Sequence, residues 1–210
     1  MHAGLIGDGV RRWAQQNSLP LAEAYFAAMK NVAVFIDFFF SNSANSISLY
    51  MLSKDNLSRP AQDLSAALLV EGEFYRTVLM DLVKKWDCNV HLAGKHDLLP
   101  DAYRESIELP LAFKGSSNRR VYLLAAYCPF DELEQAISIS PDNFFSSLWV
   151  PEKVDLVVRT SGEYRLSQYL PLQSAYAELF FLQKHVNELT IDDCQLVLSQ
   201  YYKRNRRFGK

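Results

Sequence analysis

The chain has 210 residues, 49% of them apolar and 13% aromatic, which suits one domain with a full core, or at most one with a small appendage. A formal charge of −2 excludes a general nucleic-acid binder, so any anion site must be local. The three cysteines, Cys88, Cys128 and Cys194, are odd in number and form no CxxC pair, which excludes a zinc ribbon or a disulfide frame.

That cysteine usage fits a reducing cytoplasm. No basic segment leads into an apolar h-region at the N-terminus. The longest strongly apolar run, Val32 to Phe40, is broken by Asp37 and falls short of the roughly 20 residues needed to span a bilayer. The expectation is therefore a soluble cytoplasmic protein, one domain over 1–210, with at most peripheral membrane contact. No internal repeat is visible.

Ala3 to Gly7 reads as a short strand ending at Gly7-Asp8-Gly9, and Val10 to Gln16 as the start of a helix. An aspartate flanked by glycines at a strand end can present its carboxylate to a ligand. There it could hold Mg²⁺ while Arg11 or Arg12 meets the anion that the metal bridges. Asp-Gly is equally a common turn.

Leu21 to Met29 and Asn31 to Phe40 read as helix, crowded with Phe35, Phe38, Phe39 and Phe40. Such aromatics are mostly core, though some could line a hydrocarbon cavity. Ile47 to Leu52 is the next strand; it runs into a polar loop, Ser53 to Arg59, with Pro60 at a plausible helix start. Ala61 to Trp86 has the length of one or two helices. Asn89 to Ala93 is a strand, Asp101 to Phe113 a helix despite Pro110, and Arg120 to Tyr127 a buried strand.

A helix follows from Asp131 to Ile139, then a loop to Pro151. Val154 to Val158 reads as a strand that stops at Arg159-Thr160-Ser161-Gly162-Glu163-Tyr164-Arg165-Leu166-Ser167. In open α/β sheets the ligand crevice lies beyond the carboxyl ends of strands. Two guanidiniums six positions apart, with hydroxyls between and after them, suit a phosphate or diphosphate. A surface turn whose arginines pair with Glu163 fits the same residue types. Leu172 to Phe181 is expected to be helical, and Thr190 to cap the last helix. Alternating strands and helices predict an α/β domain, with a mostly parallel sheet of about six strands flanked by helices.

The ordered set of loops resembles the cis-prenyltransferase family, the enzymes related to undecaprenyl diphosphate synthase. The likeness covers nearly the whole chain and is strongest over Asp155 to Phe181, including Gln173, Tyr176 and Glu178. Asp8-Gly9 with Arg12-Trp13-Ala14 is similar to the family's first motif, and Ser53, Asn56, Arg59 and Pro60 to its second. Gly94, Asp97, Leu99-Pro100 and the terminal Arg206-Arg207-Phe208-Gly209 also fit.

The resemblance implies the family fold with an apolar tunnel. It also implies Mg²⁺-assisted condensation of an allylic diphosphate with isopentenyl diphosphate, or with a second allylic unit such as dimethylallyl diphosphate. Asp8 would act with the metal on the departing diphosphate, and Glu178 would help to hold the metal. Gly9, Arg11, Arg12, Trp13, Tyr25 and Arg59 would form the allylic site. Arg159, Arg165 and Ser167 would bind the second diphosphate, and Asn56 and Ser53 would lie near the proton that is lost. A homodimer is implied, with Arg207 and Gly209 completing the partner's site.

Several positions depart from the family. Val10 stands for a usual Asn and Arg11 for a common Gly; Leu21 and Tyr25 replace a phosphate-binding Arg and His. Leu57 replaces a Trp, and Cys128-Pro129-Phe130 a Gly-Gly-Arg. These changes cluster on the allylic side. Val10 with Arg11-Arg12-Trp13, and Tyr25, also resemble the branch that makes lavandulyl-type branched products. Met51, Tyr122 and the phenylalanines suggest a short tunnel, hence a short product. Prenyl transfer to a non-prenyl acceptor and a non-catalytic partner subunit are the alternatives. The intact Arg159–Arg165 loop weighs against the first, and Asp8 with Glu178 against the second.

Overall fold

The computed structural model describes residues 1–204. Its centre is a six-stranded sheet in the order β3-β4-β2-β1-β5-β6, in which every neighbouring pair runs parallel. The strands are β1 (His2–Ile6), β2 (Ser46–Ser53), β3 (Asn89–Ala93), β4 (Arg120–Tyr127), β5 (Leu156–Arg159) and β6 (Glu178–Phe181). The helices between them are α1 (Val10–Gln16), α2 (Leu21–Ser41), α3 (Ala61–Phe74), α4 (Met80–Trp86), α5 (Asp101–Ala112), α6 (Pro129–Ile139) and α7 (Ile191–Lys203). Parallel strands need such crossovers, and a sheet covered on both sides needs the near-continuous apolar strands seen here.

The two helical stretches expected over Leu21 to Phe40 are one 21-residue helix. Its buried positions, Tyr25, Met29, Val32, Phe35, Ile36, Phe39 and Phe40 among them, recur three and four apart, so they form one stripe against the sheet. Phe35, Ile36 and Phe39 are fully buried, each contributing about 2–3 kcal/mol relative to exposure. By length and composition α2 could cross a membrane, but half of its most apolar window is buried in the core. Glu23 and Lys30 are exposed on its other side, together with Phe26.

Two cores flank the sheet. The larger joins β-strand residues such as Leu5, Leu49 and Val158 to α2, α3, α4, α5 and α7. The smaller gathers Tyr122, Tyr127, Val150, Val154, Tyr169 and Leu170 on the other face. There the Tyr169 hydroxyl meets Ser48 Oγ at 2.5 Å, and Ser48 meets His2 Nε2 at 2.8 Å. Tyr169 passes directly over Gly4, where a Cβ would lie 1.9 Å from its hydroxyl. Thr190 caps α7 as expected, in a reciprocal box with Asp193.

One expected element is different. Leu172 to Phe181 is not a helix: 171–176 are turns, and Glu178–Phe181 is the edge strand β6. Tertiary hydrogen bonds decide this. Gln173 Nε2 donates to Glu132 Oε1 and to the Val150 carbonyl, and Val154 N donates to the Gln173 carbonyl. Leu179 and Phe180 then point into opposite cores, the period of two that a strand requires.

Candidate active site

The loops after β1, β2 and β5, three adjacent central strands, meet over one cavity of about 820 Å³ at the carboxyl ends of the sheet. Asp8 stands at its rim. Thr160 Oγ1 accepts from Asp8 N at 2.8 Å and donates to the Asp8 carbonyl at 2.8 Å, while Val186 N also donates to that carbonyl at 3.0 Å. The backbone is thus clamped and the carboxylate left to face the cavity. Gly9 N donates to Oδ1 at 2.8 Å, and Arg159 Nη2 donates to Oδ2 at 3.0 Å. Gly9 has φ +101°, and a Cβ there would lie 2.2 Å from His185 Nδ1 and 2.6 Å from Ser161 Oγ. Only glycine permits this turn.

Arg159, the last residue of β5, is 4% exposed. Its Nη1 donates to Ser167 Oγ at 2.9 Å and to the Arg165 carbonyl, so one guanidinium ties both ends of the loop to Asp8. Among the described residues its buried Nε has no partner, a donor left for a ligand or water. Ser161 and Gly162 both adopt positive φ, and their N–H groups donate to the Lys184 and Leu182 carbonyls at 2.7 and 2.8 Å. From the far side of the sheet, the Tyr50 hydroxyl holds the Ser167 carbonyl at 3.0 Å.

Glu163 bridges the two halves of the site. Its Oε1 accepts from Arg12 at 2.8 Å and its Oε2 from Arg165 at 2.5 Å. Partial desolvation opposes its ionisation, but the two arginines together hold its carboxyl below the usual range. The expected ion pairing with Glu163 is therefore real. It also leaves Arg12 and Arg165 at the cavity lining, positioned for an anion that can outcompete a single carboxylate.

On the β2 side, Ser53 and Asn56 form a capping box: Asn56 N donates to Ser53 Oγ at 3.1 Å and Ser53 N to Asn56 Oδ1 at 3.2 Å. Their side-chain oxygens therefore shape the loop that delivers Arg59 to the cavity. Arg11 pairs with Asp63 of α3 at 3.1 Å. Burial, reinforced by the nearby Glu71 carboxyl, raises the Tyr25 hydroxyl above its ordinary value.

Asp8, Gly9, Arg11, Arg12, Tyr25, Ser53, Asn56, Arg59, Arg159, Arg165 and Ser167 all line this one cavity. Others do not. Trp13 packs against the larger core and is absent from the lining, because on α1 it points one residue around from Arg12. Glu178 opens β6, in the same rung as Ala3 and Leu156, so Asp8 lies five residues further along, roughly 16 Å in the strand direction. Its carboxylate pairs with Arg204 at 2.7 Å, and within this chain it cannot share an ion with Asp8. Arg207 and Gly209 lie outside the described residues. Of the residues expected to shorten a tunnel, Met51 lines the cavity, whereas Tyr122 faces the opposite core and Phe35 and Phe39 pack inside the larger one.

Sequence reasoning missed Asp63 and Glu71, which line the cavity from α3. The signal was present: Asp63, Ala67 and Glu71 recur every four residues within α3 and so share one helical face. It also missed Thr160, whose hydroxyl clamps Asp8.

A Mg²⁺ ion fits the donor chemistry at this rim. Such an ion needs only one or two protein carboxylates when substrate phosphates and water complete its shell, and Asp8 offers one beside Arg12 and Arg159. Among the described residues no cluster of three or more His, Cys, Asp or Glu could hold a metal on its own.

The model of the family described as "Putative undecaprenyl diphosphate synthase" matches residues 6–209. The tritrans,polycis-undecaprenyl-diphosphate synthase (geranylgeranyl-diphosphate specific) of Aeropyrum pernix is 34% identical, over 99% of this chain and 97% of that protein. An isoprenyl transferase of Rickettsia typhi is 27% identical over 100% of this chain and 97% of that protein. The crystal structure of lavandulyl diphosphate synthase from Lavandula x intermedia, in complex with dimethylallyl diphosphate, superposes with a TM-score of 0.89. It is 23% identical and covers 100% of this chain and 98% of that one.

Proposed function

The chain belongs to the undecaprenyl diphosphate synthase family and is a prenyl-transferring enzyme of isoprenoid biosynthesis, and from that premise we propose how its two anion sites divide the work. Arg12 and Arg59 take the diphosphate of an allylic donor, and Asp8 beside them would hold Mg²⁺ against it. Arg165 and Ser167, with Arg159 behind them, take the diphosphate of isopentenyl diphosphate or of a second allylic unit. The observation that carries this reading is the sharing of Glu163 between Arg12 and Arg165, at 2.8 and 2.5 Å, which places two guanidinium groups on either side of one carboxylate.

The chain's own residues supply binding, orientation and charge. Holding two diphosphates side by side turns a bimolecular reaction into an effectively unimolecular one. Fixed guanidiniums stabilise the charge that grows on the departing diphosphate, in a cavity whose walls reduce water screening. Mg²⁺, when bound with Asp8 and the phosphates, would add Lewis-acid neutralisation of that leaving group. Asn56, held by its capping box, stands on the cavity wall as the candidate neighbour of the proton that is lost.

The cavity walls below the rim, Leu5, Met29, Val32, Leu49 and Met51, suit a hydrocarbon tail. The product is a short or branched prenyl diphosphate. Tyr25 and Val10 at the donor rim, in place of a polar pair, favour the branched outcome as the second reading. A homodimer in the cytoplasm completes the proposal. It rests on the terminal motif's resemblance and on three free cysteines, which fit a reducing compartment. Mass spectrometry of the product is the test, with Mg²⁺ and C5, C10 or C15 allylic diphosphates offered with and without isopentenyl diphosphate. Products of C50 or longer would sink the short-tail assignment, and no product from any pair would sink the condensation itself.

A further inference from the structure

The apolar part of the cavity contains one group that does not belong in a hydrocarbon tunnel. Glu71 of α3 lines it, yet is 3% exposed. Asp63, two helical turns earlier on the same face, reaches the rim and pairs with Arg11. The helix rise sets Glu71 about 12 Å from Asp63, with the apolar Ala67 between them on the same face.

Glu71 is part of a buried chain of hydroxyls. Tyr103 of α5 donates to Glu71 Oε2 at 2.5 Å, so the Tyr75 hydroxyl, 2.8 Å from that of Tyr103, must be the donor to it. Both tyrosines are buried. Tyr75 opens a five-residue π-helical segment, Tyr75–Leu79, between α3 and α4. Such irregular turns are frequent at functional sites, and here the irregularity begins at the residue that completes the chain. The charged and titratable groups facing Glu71 are Arg59, Tyr25 of α2, Tyr75 and Tyr103; burial outweighs them and raises its carboxyl to about 8. At neutral pH it is an uncharged acid.

We propose that Glu71, backed by Tyr103 and Tyr75, is a specificity-determining polar stop that sets the longest hydrocarbon tail the cavity admits. Among the described residues Tyr103 is the one hydrogen-bond partner of its carboxyl. Water can satisfy the remaining oxygen while the bound tail is short. A tail long enough to reach Glu71 displaces that water and offers nothing in return, leaving a buried polar group unpaired. The penalty falls only on tails of that length, so it acts as a ruler rather than as general weakening of binding.

This inference rests on the allylic-diphosphate reading above, and one experiment separates the two. Calorimetry would measure binding of non-ionising thiolodiphosphate analogues with C5, C10 and C15 tails to the full chain in Mg²⁺. Wild type is expected to bind C15 about tenfold or more weakly than C10, the cost of an unpaired buried polar group. In Glu71→Leu or Glu71→Met, C15 should recover that factor while C5 stays within about twofold, and Glu71→Gln should keep the wild-type profile. A length profile unchanged in either apolar variant overturns the stop, as does a wild-type affinity that rises steadily through C15, which needs no variant to fold. Failure of wild type to bind any analogue overturns the underlying reading instead.

Discussion

Glu71→Gln should change the pH dependence of stability in a calculable way. The native carboxyl titrates at about 8, against an ordinary value of 4.5, because burial outweighs its hydrogen bond from Tyr103 and the field of Arg59. A carboxyl whose native value is raised costs nothing below 4.5, since it is protonated in both states. The penalty then builds as pH rises, because the unfolded chain ionises first, and it is complete above about 8. At ~1.4 kcal/mol per unit, the wild type should lose about 3–4 kcal/mol relative to Glu71→Gln between pH 5 and pH 8. The amide keeps an acceptor for Tyr103 and does not titrate, so its own burial cost is constant. Urea unfolding of both proteins at four or five pH values measures the difference. Curves that stay parallel from pH 5 to 8 would refute the claim that burial of Glu71 outweighs the field of Arg59.

His2 acts in the opposite direction. Burial lowers its imidazole to about 4, so stability should fall as pH drops from 6.5 towards 4; His2→Gln should remove about 2–3 kcal/mol of the loss between pH 7 and 4.5, by urea unfolding. Gly9→Ala forces a side chain into the space of His185 and Ser161 at φ +101°, so it should cost about 1–3 kcal/mol of stability and displace Asp8. Turnover should fall more than substrate affinity, which steady-state kinetics would report. Arg165→Ala should raise the KM for the second diphosphate substrate by about tenfold or more while altering the donor's KM little; equal effects on both would contradict the division of sites.

Much of this architecture is legible in the sequence because parallel strands bury both faces and announce themselves as short apolar runs. β3 and β4 have the expected ends, and the polar loops after β1, β2 and β5 fall where the site is. The segment Leu172–Phe181 is not legible because its conformation is fixed by partners far away in sequence, Glu132 and Val150 on one side and β5 on the other. The register of β6 also bears on Glu178 within one chain. Motif resemblance places it near the metal, but strand register puts it at the opposite end of the sheet from Asp8. Glu71 is the reverse case: its eight-residue spacing from Asp63 on one helical face is visible, yet nothing in composition distinguishes a buried acid from a solvated one on the same helix.

The most direct test of the whole account is release of inorganic diphosphate by wild type and by Asp8→Ala, with Mg²⁺, dimethylallyl diphosphate and isopentenyl diphosphate. Two allylic units form a separate arm. The account predicts release only when a donor and an acceptor diphosphate are both present, and a fall of about 100-fold or more in Asp8→Ala, the scale of losing a leaving-group stabiliser. Undiminished release from Asp8→Ala would contradict the role given to the clamped carboxylate at the centre of the site.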